Sequence, residues 1–206
     1  MTVYTFPSGP IETNTYIYAL PDKTCYIIDA APMSYGAVKR KIDEMGLKPV
    51  MLLLTHSHWD HIADVPHYKD AFPDLPVAVH PLDAPNLKTP GADGLPVYFT
   101  YDPMGHDIEL KEGKKIGPFD VIETPGHTPG GVVFYDPKEG VAFSGDTLFK
   151  GTFGNVSFPQ SSRDLMWKSL KKLAKLPGQT KVFPGHGEPT TIEKEWWLSR
   201  PDDLVE

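Results

Sequence analysis

An apolar run, VMLLL at residues 50–54, is followed directly by THSHWDH at residues 55–61. Continuous apolar runs of this length are typical of β-strands that are buried on both faces, so the fold has to cover this strand from both sides. Three histidines and one aspartate then follow within six positions. Turns at strand ends are where a rigid scaffold directs functional side chains. The two segments together predict an enclosed sheet with candidate metal ligands at the end of one strand.

Three more candidate ligands lie in turns that each follow a strand-like run. They are His127 in TPGHTPGG, Asp146 in FSGDTLF and His186 in FPGHGEP. A single histidine near a strand end is usually an ordinary surface or half-buried residue, but side chains from several such turns can meet in one cleft. The full set of candidate metal ligands is His56, His58, Asp60, His61, His127, Asp146 and His186.

The size of this set favours two metal ions over one. A single catalytic zinc takes three protein ligands and a water, whereas seven nitrogen and oxygen ligands fit two ions if one carboxylate bridges them. Alternate side chains of an extended segment point the same way, so His56 and His58 can bind one ion, while Asp60 and His61 face a second. Because Cys25 is the only cysteine in the chain, the ligands are nitrogen and oxygen. They suit two divalent ions, with zinc expected and iron or manganese as alternatives.

The pattern of apolar residues predicts an α/β chain. Short runs rich in β-branched and aromatic residues predict strands in both halves, among them TVYTF, NTYIYAL and TCYIIDA, and later DVIETP, GVVFYD, VAFSGD and KVFPG. Helical spacing predicts helices over residues 33–46, 63–72 and 161–176. Val38, Ile42 and Met45 would form the buried stripe of the first helix.

Three further features complete the predicted architecture. The helix over residues 161–176 would begin with a capping box of Ser161 and Asp164. Residues 84–114 are dense in Pro, Gly and Asp, and we interpret them as a long surface segment that can act as a lid over a cleft. Two groups of strands, each with its own helices, predict two mixed sheets packed together with helices outside.

The bulk composition suits one domain over residues 1–206, because a chain of this length can bury a sizeable core. The 20 basic and 27 acidic residues give a net charge of −7, which disfavours a nucleic-acid or membrane partner since phosphate affinity is mostly electrostatic. The N-terminus has no signal-peptide pattern, and a lone cysteine fits a reducing compartment. We therefore expect a cytoplasmic protein with a small-molecule substrate and no nucleic-acid or membrane partner. The composition does not predict an oligomeric state.

The quoted turns, in this order, resemble the metallo-β-lactamase fold superfamily, whose hallmark is T-H-x-H-x-D-H after a buried strand. The likeness covers LLLTHSHWDHIAD, IETPGHTPGG, FSGDTLF and VFPGHGEPTT. Within the superfamily, the opening GPIETNTYIY and the GDTLF and PGHG turns are most similar to the glyoxalase II-like (hydroxyacylglutathione hydrolase-like) single-domain hydrolases. The resemblance implies an αββα sandwich with the site at one edge. It implies one ion bound by His56, His58 and His127, a second bound by Asp60, His61 and His186, and Asp146 as the bridge.

The resemblance also implies a dinuclear metal-dependent hydrolase. A hydroxide shared by the two ions would attack a carbonyl, and a small thioester is the natural substrate because its thiolate leaves with little protonation. Asp60 is the residue that we expect to hold the water or accept its proton. The alternatives are lactonase or phosphodiesterase activity on the same fold, a persulfide dioxygenase with one iron, and a scaffold without activity. β-Lactam hydrolysis is not expected, because zinc β-lactamases usually have a cysteine where this chain has Asp146.

Two departures from the family pattern bear on the substrate. Only 20 residues follow His186, so we expect no helical glutathione-binding domain after the PGHG turn. Single-domain relatives commonly read G-x-G-R-x-D-F after GDTLF, whereas this chain has KGTFGNVSF, in which Asn155 and Ser157 replace the arginine and the aspartate. The loss of this charge pair puts glutathione recognition in doubt and leaves the role of the loop open.

Overall fold

The chain divides into two compact units, Met1–Glu109 and Leu110–Glu206, and the computed structural model describes residues 1–204. Each unit contains one six-stranded sheet with both parallel and antiparallel strands. The single domain expected over residues 1–206 stays a prediction. Among the described residues, no helix is long and apolar enough to cross a membrane.

The sheet of the first unit follows the order of its strands in the sequence. These strands are β1 (Thr2–Ser8), β2 (Thr13–Ala19), β3 (Thr24–Ile28), β4 (Lys48–Leu53), β5 (Val77–Val79) and β6 (Ile108–Glu109). Neighbours are antiparallel from β1 to β3 and parallel from β3 to β6. The strands predicted in this half are confirmed, and β4 contains most of the apolar run that precedes the histidines. Cys25 in β3 is fully buried, and burial raises the pKa of its thiol to about 12, so the thiol stays protonated at neutral pH.

The helices of the first unit are α1 (Tyr35–Met45), α2 (Trp59–Ile62), α3 (Val65–Ala71) and α4 (Ala84–Lys88). In α1, Val38 and Ile42 are buried as predicted, and the helix ends at Gly46 with a φ of 59°, a conformation that glycine adopts without strain. The prediction that Met45 shares the buried stripe is wrong, since its side chain is 37% exposed. The stripe advances by four residues from Val38 to Ile42 and so reaches Gly46 rather than Met45.

Residues 84–114 are mostly exposed or partly exposed, as predicted for a surface segment, and their role as a lid stays a prediction. The segment also contains α4 and β6, and Leu87 and Tyr101 are buried. The Tyr101 hydroxyl donates a hydrogen bond of 2.8 Å to the backbone oxygen of Asn86. The ring of Phe99 stacks on Trp59, with centroids 5.8 Å apart and an interplanar angle of 8°. Proline and glycine predict turns, but they do not reveal that aromatic residues between the turns pack onto other elements.

The sheet of the second unit has the order β14-β13-β10-β9-β8-β7. Between β10 and β13 the chain forms a separate short hairpin of β11 and β12. The strands of this unit are β7 (Lys115–Ile116), β8 (Phe119–Glu123), β9 (Val132–Asp136), β10 (Val141–Gly145), β11 (Leu148–Phe149), β12 (Thr152–Phe153), β13 (Lys181–Pro184) and β14 (Thr190–Thr191). The pair β10 and β13 is parallel, so the turns after these two strands lie side by side. Asp146 and His186 belong to those turns.

The helix α5 (Arg163–Leu173) follows the hairpin, lies within the predicted helix and buries Met166, Leu170 and Leu173. The predicted cap is wrong by one residue. Ser162, not Ser161, is the N-cap, because it has the extended conformation that a cap requires (φ −144°, ψ 114°) and its side chain accepts from the backbone N–H of Leu165. Ser161 instead donates a hydrogen bond of 2.7 Å to the backbone oxygen of His127.

Candidate metal centre

The first unit brings four predicted ligands together after β4. His56 follows that strand, His58 is the N-cap of α2, and Asp60 and His61 lie within α2. The ring centroid of His56 is 4.9 Å from that of His58 and 4.0 Å from that of His61. All four side chains are buried, and ligand atoms of His56 lie within 4.8 Å of ligand atoms of His58 and of His61. A buried cluster of this composition could bind a divalent metal ion.

Asp29, which the sequence did not single out, orients two of these imidazoles. Its carboxylate accepts hydrogen bonds of 2.8 Å from the backbone N–H and the hydroxyl of Thr55 and lies 2.8 Å from Nδ1 of His61. Since the Thr55 hydroxyl donates its proton to Asp29, its oxygen accepts from Nδ1 of His56 at 3.1 Å. The Nδ1 protons of His56 and His61 are therefore directed at acceptors, so each ring presents the lone pair of Nε2.

Asp60 is held from β2. The hydroxyl of Thr13, which is fully buried, donates a hydrogen bond of 2.8 Å to Oδ2 of Asp60. The same oxygen lies 3.2 Å from Nε2 of His61. Thr13 thus fixes the orientation of a carboxylate that the sequence predicts to bind metal and to take part in catalysis.

Replacing Thr13 by valine should weaken metal binding by about tenfold, because it removes a hydrogen-bond donor to Asp60 while keeping the side-chain shape. Thr13→Ser retains the donor and is the matched control. The dissociation constant for zinc, measured by competition with a chromophoric chelator, distinguishes the two. Equal zinc affinities for the valine and serine variants would contradict this role for Thr13.

The second unit brings the other three predicted ligands together around Asp146. Nε2 of His127 lies 3.4 Å from Oδ2 of Asp146, and Nε2 of His186 lies 3.5 Å from the same oxygen. His127 and Asp146 are buried, and a quarter of the His186 side chain is exposed. Oδ2 of Asp146 is therefore close to one ring nitrogen of each histidine.

The altered loop after the β11–β12 hairpin supports His127 through its backbone. The backbone oxygen of Asn155 lies 2.8 Å from Nδ1 of His127, and because a carbonyl oxygen can only accept, Nδ1 carries the proton. The side-chain oxygen of Asn155 accepts from the backbone N–H of Ser157 at 2.7 Å. Asn155 and Ser157, which stand where the family pattern predicts an arginine and an aspartate, therefore form a local turn.

The nitrogen–oxygen separations in both clusters fit ligands of a shared metal ion. Two ligands about 2.1 Å from a tetrahedral ion lie about 3.4 Å apart, and the three Nε2–Oδ2 distances are 3.2, 3.4 and 3.5 Å. A direct charge-assisted hydrogen bond is about 2.8 Å long, as between His61 and Asp29. In His61 and in His127, the Nε2 lone pair faces a carboxylate oxygen. A cation between the two atoms would stabilise this arrangement. The residues of both clusters therefore fit divalent metal ions.

Membership of a family follows from the whole pattern. The profile of the Metallo-beta-lactamase superfamily matches residues 8–186, a span that includes every predicted ligand. The chain belongs to this superfamily. Two solved structures resemble this chain over almost their whole length. The BLEG-1 B3 metallo-beta-lactamase has a TM-score of 0.88 at 33% identity and covers 100% of both chains. TTHA1623, solved in a di-iron-bound form, has a TM-score of 0.84 at 35% identity and covers 96% of this chain and 98% of its own.

Two relatives compared by sequence are also similar to most of this chain. A probable metallo-hydrolase of Bacillus subtilis (strain 168), YqgX, is 33% identical over 196 residues, which are 92% of each chain. A hydroxyacylglutathione hydrolase of Hamiltonella defensa is 33% identical over 181 residues, which are 86% of this chain and 64% of that protein. The predicted metallo-β-lactamase fold, of the α/β class with two mixed sheets, is thereby confirmed.

Proposed function

We propose that this member of the metallo-β-lactamase superfamily is a dinuclear metal-dependent hydrolase, glyoxalase II-like, that cleaves a small thioester. We propose, from the order of the family motifs, that one ion is bound by His56, His58 and His127, the other by Asp60, His61 and His186, and that Asp146 is the bridge. We propose zinc as the metal, and iron or manganese would suit the same ligands. A small-molecule substrate in the cytoplasm belongs to the proposal, since the net charge of −7 disfavours polyanionic partners.

One observation carries the proposal. In each cluster an imidazole whose Nδ1 proton is directed at an acceptor presents its Nε2 to a carboxylate oxygen, His61 to Asp60 and His127 to Asp146, at 3.2 and 3.4 Å. Asp29 and the Asn155 carbonyl fix these tautomers. Supporting hydrogen bonds of this kind are typical of metal-binding histidines. An imidazole lone pair that faces a carboxylate oxygen is unfavourable unless a cation lies between them, and a scaffold without metal would not need this arrangement.

The bound ions would supply a water activated near neutral pH and would polarise the carbonyl under attack. Asp60 is the residue that we propose to hold this water and accept its proton, because the hydrogen bond from Thr13 keeps its carboxylate in one orientation. A thiolate leaving group needs little protonation. A thioester therefore demands no dedicated general acid from the chain.

One other function and one other metal have specific support. β-Lactam hydrolysis, which the bridging aspartate disfavours, is supported by the likeness to BLEG-1 over the whole chain. Iron in place of zinc is supported by the di-iron form of TTHA1623, and a single iron with oxygen uptake would correspond to a persulfide dioxygenase. Metal identity and number separate a mononuclear dioxygenase from a dinuclear hydrolase, and the substrate separates a thioesterase from a β-lactamase.

The test is metal stoichiometry on the purified protein combined with a hydrolysis panel. We expect two ions per chain by inductively coupled plasma mass spectrometry, thioester hydrolysis that chelation abolishes and metal restores, and at most weak hydrolysis of a β-lactam such as nitrocefin. The panel should also contain a lactone and a phosphodiester. One iron per chain with oxygen uptake and no thioester hydrolysis would overturn the proposal, and two ions with faster nitrocefin hydrolysis would replace the thioester by a β-lactam.

A further inference from the structure

The residues that follow β5 hold the backbone between two predicted metal ligands. Ser57 stands between His56 and His58, and its N–H donates a hydrogen bond of 3.1 Å to Oδ2 of Asp83. The carbonyl of Ser57 accepts from the side-chain amide of Asn86 in α4. Both backbone polar groups of Ser57 are therefore bonded to side chains from residues 83–86, so this part of the chain lies directly against the metal-binding turn.

Asn86 also fixes the carboxylate of Asp93 beside that turn. The same amide nitrogen donates a hydrogen bond of 2.9 Å to Oδ2 of Asp93, and the backbone N–H of Leu95 donates one of 2.9 Å to Oδ1. Asn86 is itself buried and accepts from the Tyr101 hydroxyl through its backbone oxygen. The Asp93 carboxylate thus lies within two hydrogen-bond lengths of the Ser57 carbonyl and is held by both of its oxygens.

The charges around this position are mostly negative. Residues 55–64 and 80–95 contain four aspartates, no arginine and a single lysine, the exposed Lys88. Burial raises the pKa of Asp93, and the negative charge of Asp60 raises it further, so the two carboxylates act on each other through space. Asp93 is half-buried, and its charge is therefore only partly screened by solvent.

We propose that Asp93 is a specificity-determining residue that favours substrates with a neutral or cationic group next to the scissile bond over substrates with an anionic group there. The inference rests on the proposed function, because it assigns a substrate class to the same metal centre. A carboxylate a few ångströms from a bound ligand repels a second carboxylate and attracts an ammonium group. An acyl-glutathione carries carboxylates on its thiol portion, so this chain should discriminate against it, in keeping with the lost arginine of the Asn155 loop.

A pair of thiols of equal length tests the inference through binding alone. Cysteamine and 3-mercaptopropionate both bind zinc through sulfur and differ in the charge at the far end. We expect the zinc-loaded protein to bind cysteamine more tightly by isothermal titration calorimetry. In Asp93→Asn the ratio of the two dissociation constants should move towards unity by about three- to tenfold. Asp102→Asn makes the same chemical change at an exposed position of the same segment and should leave the ratio unchanged.

The outcomes separate this inference from the proposed function. An unchanged ratio in Asp93→Asn, with thioester hydrolysis intact, would overturn the inference alone. A changed ratio without hydrolysis of any thioester would support the inference and count against the hydrolase. Failure of the zinc-loaded protein to bind either thiol would overturn the inference. Asp93→Ser, which removes the charge with a smaller side chain, should repeat the result and covers the case in which the asparagine variant does not fold.

Discussion

In the Asp146→Asn protein we expect fewer than two metal ions per chain and a loss of hydrolytic turnover of at least about 100-fold. Changes in groups that merely support a metal ligand cost about 10- to 100-fold, and removal of the bridging carboxylate should exceed that range. Oδ2 of Asp146 is the atom that both His127 and His186 approach, at 3.4 and 3.5 Å. Asparagine keeps the shape of the side chain but loses the charge that offsets two divalent ions.

The same substitution should leave the metal-free protein as stable as the wild type or slightly more stable. Without metal, the buried Asp146 carboxylate faces the Nε2 lone pair of His127, and its neutralisation removes that repulsion. Metal content by mass spectrometry, together with thermal melting in EDTA, measures both effects. Asp120→Asn is the matched control, because it makes the same change in the same unit at a residue that pairs with Lys115. Two ions per chain and wild-type turnover in Asp146→Asn would exclude Asp146 from the centre.

Much of the fold was predictable because its signals are local. The apolar run before the histidines forms β4, the stripe of α1 buries Val38 and Ile42, and strand ends carry all the turns that the motifs marked. A turn can be recognised from its own residues and the strand before it. For the same reason His56, His58, Asp60 and His61 were predictable as a group, since they are within six residues of one another. Their assignment as metal ligands stays a prediction.

The supporting residues were not predictable, because they depend on pairing between distant segments. Asp29 reaches Thr55 and His61 since β3 and β4 are parallel neighbours in which Ile28 is paired with Leu53, so the residues after both strands lie side by side. Nothing within the segment TCYIIDA indicates that partner. Asn86 and Asp93 were not predicted as supporting residues, because the Pro- and Gly-rich composition of residues 84–114 resembles that of an exposed loop. Such a composition does not indicate contacts with a distant turn. An aspartate directly after a buried strand is the one signal that would have identified Asp29.

The largest structural effect should come from Gly154→Ala. A Cβ at this position would lie 1.9 Å from the backbone oxygen of Asp146, 2.9 Å from its carbonyl carbon and 3.1 Å from Nδ1 of His127. The closest of these atoms belong to the backbone and cannot rotate away, so the loop has to move. Because the next residue, Asn155, supplies the carbonyl that accepts from His127, this movement would also release the imidazole. We expect a loss of about 3 kcal/mol in the free energy of unfolding together with loss of bound metal.

Urea unfolding of the metal-free protein measures the first effect and metal content measures the second. Gly36→Ala is the control, because a Cβ there meets nothing within 4 Å and alanine in a helix is more stable than glycine by up to about 1 kcal/mol. A Gly154→Ala protein with wild-type stability would mean that the loop can yield without cost. Retention of both metal ions in such a protein would further show that the Asn155 carbonyl is not needed to orient His127. If stability falls and metal is retained, the contact with Asp146 matters for folding alone, and the loop has no part in holding the ligand.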